Sequence, residues 1–226
     1  MNIYVIFHKP FDIELPDCYS PLQVGVSLNN NDLGYLKDNT GDNISHKNKN
    51  YCELTGLYWI WKNTTDDIVG LCHYRRYFST NHQIINEQYI KSLLKDYDII
   101  VPNSMSVPEE YQTVLRHYEV KHNINDLILC RNAIEEIYPE YLDSFDICMN
   151  SSLMSLGNMI ITKKVILDEY CKWLFDILSI VESNTNTESY DDYQKRIYGF
   201  LSERLLRVWI MNNKYKVKEE PIEMIE

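Results

Sequence analysis

The segment His73-Tyr74-Arg75-Arg76-Tyr77-Phe78 follows the apolar run Ile68-Val69-Gly70-Leu71-Cys72, which places a histidine and two arginines at the end of an expected buried strand. Adjacent guanidiniums are planar, permanently charged forks that hold phosphate oxygens in pairs, and a strand end opens onto the crevice where open α/β sheets bind their ligands. His8 and Lys9 follow a second apolar run, Ile3-Tyr4-Val5-Ile6-Phe7. If the two strands are sheet neighbours, His8, Lys9, His73, Arg75 and Arg76 converge on one edge and make a diphosphate site. The alternative stays open: in a chain of net charge −11, adjacent arginines also serve as ion-pair partners on a surface turn.

Group transfer to a hydroxyl further needs a carboxylate that accepts its proton. Asp192 and Glu203 are the catalytic candidates, with Asp191 beside the first. Glu203 sits in the apolar run Phe200-Leu201-Ser202-Glu203-Arg204-Leu205-Leu206, where a carboxylate is either paired with an arginine or presented into a cavity. Asp38-Asn39-Thr40-Gly41-Asp42-Asn43 concentrates turn formers, with Asp42 and Asn43 as expected ligand-facing groups. Glu53, in the first turn of an expected helix, either complements the helix dipole or binds a ribose or sugar hydroxyl. Asp96-Tyr97-Asp98 precedes the run Ile99-Ile100-Val101 and so is expected at the wrong end of the sheet for holding a metal against a diphosphate. Protein cations are expected in place of a metal, so no cofactor is required; Mn²⁺ or Mg²⁺ is the alternative. Neither GxGxxG nor a P-loop pattern occurs, which argues against dinucleotide dehydrogenases and P-loop kinases.

The elements that position these groups read as alternating strands and helices, an α/β pattern. Strands are expected over 3–7, 22–28, 68–72, 99–101 and 157–162. Helices are expected over 51–62, 87–95, 106–121, 125–138, 165–181 and 191–212, and the asparagine-rich stretch 29–50 reads as a long loop.

The length of 226 residues and 45% hydrophobic content suit one domain spanning 1–226. The acidic balance argues against nucleic acid as a partner. Six cysteines without a CxxC pair fit a reduced, cytoplasmic setting, and His117 and His122 lack zinc-ligand spacing. No apolar stretch reaches the roughly 20 residues that cross a bilayer. Arg196, Arg204, Arg207 and Lys214 beside Trp209 leave peripheral membrane association, at the inner membrane face, as a possible use of the last helix.

The segments Tyr51 to Asn63, His73 to Phe78 and Gly199 to Leu206, supported by Asp38 to Ser45 and Asp168 to Phe175, resemble a bacterial family of capsular and exopolysaccharide glycosyltransferase domains. The likeness runs from Ile3 to about Pro221. It implies a GT-A-like fold, a nucleotide-diphosphate donor such as a UDP-hexose, and a growing polysaccharide on a lipid carrier as acceptor; some relatives are associated with galactofuranose. One departure is Ser155-Leu156-Gly157-Asn158-Met159, where an aromatic residue is expected before the asparagine. Asn158 is the expected acceptor-site residue. The competing readings are a sugar-1-phosphate transferase and a non-catalytic carbohydrate-binding module.

Overall fold

A computed structural model describes residues 1–29, 31–155 and 157–225. Its strands are β1 (Asn2–Phe7), β2 (Tyr19–Gln23), β3 (Leu36–Lys37), β4 (Ile68–His73), β5 (Arg76–Thr80), β6 (Gln83–Ile84), β7 (Ile99–Pro102), β8 (Met105–Ser106), β9 (Leu153–Met154), β10 (Ile160–Lys163), β11 (Val217–Glu220) and β12 (Ile222–Met224). The helices are α1 (Asn48–Tyr51), α2 (Leu54–Asn63), α3 (Glu87–Leu93), α4 (Val114–Lys121), α5 (Ile124–Ile137), α6 (Leu142–Asn150), α7 (Lys164–Asn184) and α8 (Ile197–Asn213).

The main sheet runs β11-β7-β10-β4-β1-β2-β3. β1 pairs in parallel with β2 and β4, and β7 with β11, while β10 is antiparallel to both β4 and β7. The C-terminal ends of β1, β4, β7 and β11 therefore share an edge with the start of β10.

Alternating residues divide the sheet's two faces, as the period of two requires. Tyr4, Ile6, Val69, Leu71, Ile99 and Val101 pack with helices α2, α5, α6, α7 and α8. Ile3, Val5, Phe7, Cys72, Ile100 and Ile161 pack on the other side with Tyr77, Phe78 and Ile90. At Gly70 a Cβ would lie 2.7 Å from an Ile161 side-chain carbon and 2.9 Å from the Ile160 carbonyl oxygen, so β4 and β10 approach too closely there for any side chain.

The mixed α/β architecture with helices flanking a largely parallel sheet agrees with the sequence reading; several boundaries differ. Strand β2 ends at Gln23, and 26–28 is a 3₁₀ turn. The helix expected over 51–62 is split, because Cys52 takes φ 50° and ends α1 before α2 begins. Of the span 106–121 only Val114–Lys121 is helical; the Thr113 side chain caps it by accepting from Arg116 N. Helix α6 and strand β12 have no counterpart in the sequence reading. Trp209 and Arg204 are buried, which removes the cationic, tryptophan-bearing surface suggested for α8. Among the described residues no helix is long and apolar enough to cross a membrane.

Candidate active site

The shared edge carries a cleft of about 670 Å³ lined by His8, Asn48, Lys49, Cys52, Glu53, His73, Tyr74, Arg75, Arg76, Asp192 and Arg196, with Ile6, Val24 and Met224. Ile6 is register partner to His73, so the β1–β4 pairing brings His8 beside the His73–Arg76 turn. Tyr74 N donates to Ile6 O at 3.1 Å, and the Tyr74 ring meets His8 edge-on at 4.9 Å. The Arg75 guanidinium lies over Phe11 and Tyr74, 5.7 and 5.6 Å from the ring centroids. Arg76 pairs with His73 across the turn and with Met224 of β12.

Among the described residues Arg75, Arg76 and Arg196 form no ion pair. The surface-turn alternative is thereby disfavoured: Glu53 and Asp192 share the cleft but close no salt bridge with these arginines, which together with Lys49 leave the edge locally positive. Two histidines register it. Burial first, then Lys9, Arg196 and His73, hold His8 below the ordinary histidine value. Burial likewise lowers His73, with Arg76 and Arg196 adding to the effect and Glu53 opposing it.

Behind the cleft, the turn before β10 takes a left-handed backbone at two successive residues, Gly157 (φ 89°) and Asn158 (φ 42°). Four hydrogen bonds hold it. His73 Nε2 donates to Gly157 O at 2.6 Å; Gly157 N donates to Glu203 Oε1 at 2.9 Å; Asn158 Nδ2 donates to Glu53 Oε1 at 2.5 Å and to Gly199 O at 3.2 Å. The second Glu203 oxygen is ion-paired with Arg204 at 2.9 Å. Burial pushes the Glu203 carboxyl above the usual carboxylate range, against the pull of Arg204. Of the two alternatives for Glu203, pairing with arginine is the one the geometry gives. Asn158 Oδ1, also buried, has no partner among the described residues.

The expected site residues therefore divide. His8, Glu53, His73, Arg75, Arg76 and Asp192 line one cleft. Asp192 stands at its rim, 89% exposed, with Lys49 at 3.5 Å and Lys195 at 3.7 Å. Glu203 and Asn158 lie behind the wall. Lys9 points its ammonium at the outer face of Tyr74, 5.5 Å from the ring centroid, and does not line the cleft. Asp42 and Asn43 are not at the site. Asp42 N donates to Asn63 Oδ1, the Asp42 carboxylate accepts from Tyr58 OH, and Asn43 closes its own turn by donating from Nδ2 to Gly41 O. Asn63 ends α2, about 15 Å from Glu53 at 1.5 Å per residue. Leu156 lies outside the described residues; Asp98 sits at the opposite edge, accepting from Lys216 N.

Arg196, Lys49, Asn48 and Cys52 belong to the cleft without having been singled out for it. Arg196 leads into α8 and donates to Cys52 Sγ at 3.4 Å. Among the described residues no group of three or more His, Cys, Asp or Glu side chains is arranged to hold a metal ion.

The open α/β sheet thus carries Arg75, Arg76 and Arg196 in a cleft at the carboxyl edge of its parallel strands, the place where sheets of this kind take their ligands. The chain belongs to the family described as a domain of unknown function (DUF4422), whose model matches residues 2–214. It is similar to a solved structure described as the WbbM bifunctional glycosyltransferase in its apo form, with 32% sequence identity and a TM-score of 0.91. That match covers 100% of this chain and 45% of the other, so the chain spans less than half the length of the bifunctional protein. No curated protein matches the chain.

Proposed function

We propose that the chain is a glycosyltransferase domain of GT-A-like type that takes a hexose, with galactofuranose as one candidate, from a nucleotide-diphosphate donor, UDP-sugar first, to a growing cell-surface polysaccharide. The observation that carries this reading is the cluster Arg75, Arg76 and Arg196 around His73, free of ion pairs among the described residues, which would supply charge-assisted donors to a departing diphosphate. Similarity to a bifunctional glycosyltransferase supports the reaction class.

In this reading Arg75, Arg76 and Arg196 hold the diphosphate, while His73 is oriented toward it by its bond to Gly157. Glu53 and Asp192 are the carboxylates with access to the cleft. Asp192, at the rim, takes the proton of the incoming acceptor hydroxyl. Asn158 fixes Glu53 through Nδ2 from behind the cleft wall, which makes it a positioning residue in place of the expected acceptor contact. Glu203 holds the Gly157 turn in place. A Mn²⁺ or Mg²⁺ ion, the alternative to the protein cations, would rest on Glu53 and Asp192, the two carboxylates that line the cleft, and would share charge on the diphosphate.

Thermal-shift titration with UDP, GDP, CMP and their sugar conjugates, with and without Mn²⁺, tests the reading. UDP should raise the melting temperature without metal, and Arg75→Ala and Arg76→Ala should each weaken UDP binding about 10- to 100-fold, the size of one charge-assisted hydrogen bond set. Both variants should melt like the parent, since the two side chains are exposed and unpaired. Absence of a shift with every nucleotide would sink the proposal and favour a carbohydrate-binding module; release of UMP in place of UDP would make the chain a sugar-1-phosphate transferase.

A further inference from the structure

Beyond Arg196 the wall of the cleft continues as a band of aromatic side chains that the nucleotide site does not use. The Arg196 guanidinium lies 5.6 Å from the Phe200 ring centroid. Phe200 stacks on His122 at 4.0 Å and lies 5.0 Å from Tyr193, while Tyr193 and His122 are near-parallel at 6.0 Å and 21°. Across from them Tyr111 meets His117 at 5.2 Å, with the Lys121 ammonium 5.5 Å over the Tyr111 ring.

Two features mark this band as more than packing. Tyr193 is 54% exposed although it is held from behind by two rings, and its sequence neighbours Asp192 and Arg196 both line the nucleotide cleft. The turn is also rigidly tied down: Gln194 Nε2 donates to Lys121 O at 2.8 Å, and Gln194 Oε1 lies 3.2 Å from His122 Nδ1. An exposed, pre-oriented aromatic face beside polar donors is what a saccharide ring needs. Its C–H face carries slight positive charge and settles on the negative face of an aromatic ring, while its rim hydroxyls seek amide, ammonium and phenol partners.

We propose that Tyr193, backed by His122 and Phe200 and flanked by Lys121 and Tyr111, is a stacking subsite for a neutral hexose residue of the acceptor glycan. The inference rests on the glycosyltransferase reading and names where its acceptor docks. Burial keeps His122 far below the usual histidine value, at about 4, so the platform stays uncharged under His122 at neutral pH.

Saturation-transfer NMR on the full chain, with UDP present and with methyl hexopyranosides and hexofuranosides as probes, tests it. At least one methyl hexoside should receive saturation from the parent protein. Tyr193→Ala should abolish that transfer or weaken the affinity about tenfold, the size of one ring contact, while Tyr193→Phe retains it. UDP signals should be the same in all three proteins. Equal hexoside transfer in Tyr193→Ala, or UDP binding with no hexoside bound, would overturn the subsite. Loss of UDP binding in Tyr193→Ala would reassign the ring to the nucleobase. Failure of UDP to bind the parent while a hexoside binds through Tyr193 would instead reject the donor reading and leave the saccharide site standing.

Discussion

His73 Nε2 and the carbonyl oxygen of Gly157 lie 2.6 Å apart, joining the turn that closes β4 to the turn that opens β10. A carbonyl oxygen only accepts, so Nε2 carries the proton and the neutral ring keeps its lone pair on Nδ1. The same Gly157 is gripped from the other side by Glu203. One backbone unit thus links the cationic cleft to the buried carboxylate on α8.

That linkage separates the roles of the two late carboxylates. Glu203→Gln keeps an acceptor for Gly157 N and should retain most of the transfer activity, whereas Glu203→Ala should lose it together with stability. Asp192→Asn should lower turnover by 10²- to 10⁴-fold, the usual contribution of a general base, with UDP affinity unchanged. Steady-state kinetics with UDP titration on the three variants reads this out. A Glu203→Gln enzyme as dead as Glu203→Ala would make Glu203 the base.

Gly157→Ala isolates the backbone requirement. A Cβ there meets nothing nearer than Arg76 Nη1 at 3.8 Å, so space is available and only the left-handed conformation objects. The expected cost is about 1–2 kcal/mol, visible in denaturant unfolding, with a larger loss in UDP affinity than in stability if the turn relaxes away from His73. The aromatic residue expected before Asn158 meets the same backbone objection.

Asp38 is the structural anchor of the asparagine-rich stretch. It is fully buried and accepts from Gly25 N at 2.8 Å, Val26 N at 3.2 Å, Ser45 Oγ at 2.5 Å and Thr55 Oγ1 at 2.7 Å. Asp38→Ala strands four donors and should destabilise the protein by roughly 3 kcal/mol or more, measured by urea unfolding. Because Ser45 and Thr55 flank α1 and the start of α2, the nucleotide response should weaken as well.

Acid should weaken the fold. His8, His73, His117 and His122 are all lowered from 6.5, each by burial first, with His122 reaching about 4. A group with a depressed folded pKa binds fewer protons when folded, so its contribution is complete above 6.5 and lost as pH falls through the folded value. Glu203 and Asp126, raised by burial, act in the opposite sense at the acid end of this range. The melting temperature should therefore fall between pH 6.5 and about 4.5, and His122→Asn should flatten the fall. An unchanged slope in that variant would remove His122 from the account.

Much of this was readable from residue order. Two apolar runs ending in cations predicted both β1 and β4 and the meeting of His8 with His73, because strand ends are set by hydrophobic length and by charge that resists burial. Arg196, Lys49 and Cys52 were not, since their place in the cleft depends on how α1 and α8 pack against each other. Asp42 and Asn43 misled for a physical reason: the residue types that reach a ligand from a turn are those that close the turn on itself and cap a neighbouring helix. Helix α6 was hidden by the Tyr138-Pro139 break, after which the chain resumes a helix one 3₁₀ turn later.

Gly70 lies in the middle of β4, three residues from His73, and admits no side chain because β10 passes so near. Any methyl group added there must pry the two strands apart, and the displacement would be delivered along β10 to Gly157 and along β4 to His73 at the same time. The sheet interior thus acts as the gauge that spaces the chemistry. A substitution at Gly70 would be recorded in an activity screen as damage to the active centre, although it touches no ligand, and the surviving variants would be those that work when cold and fail when warmed.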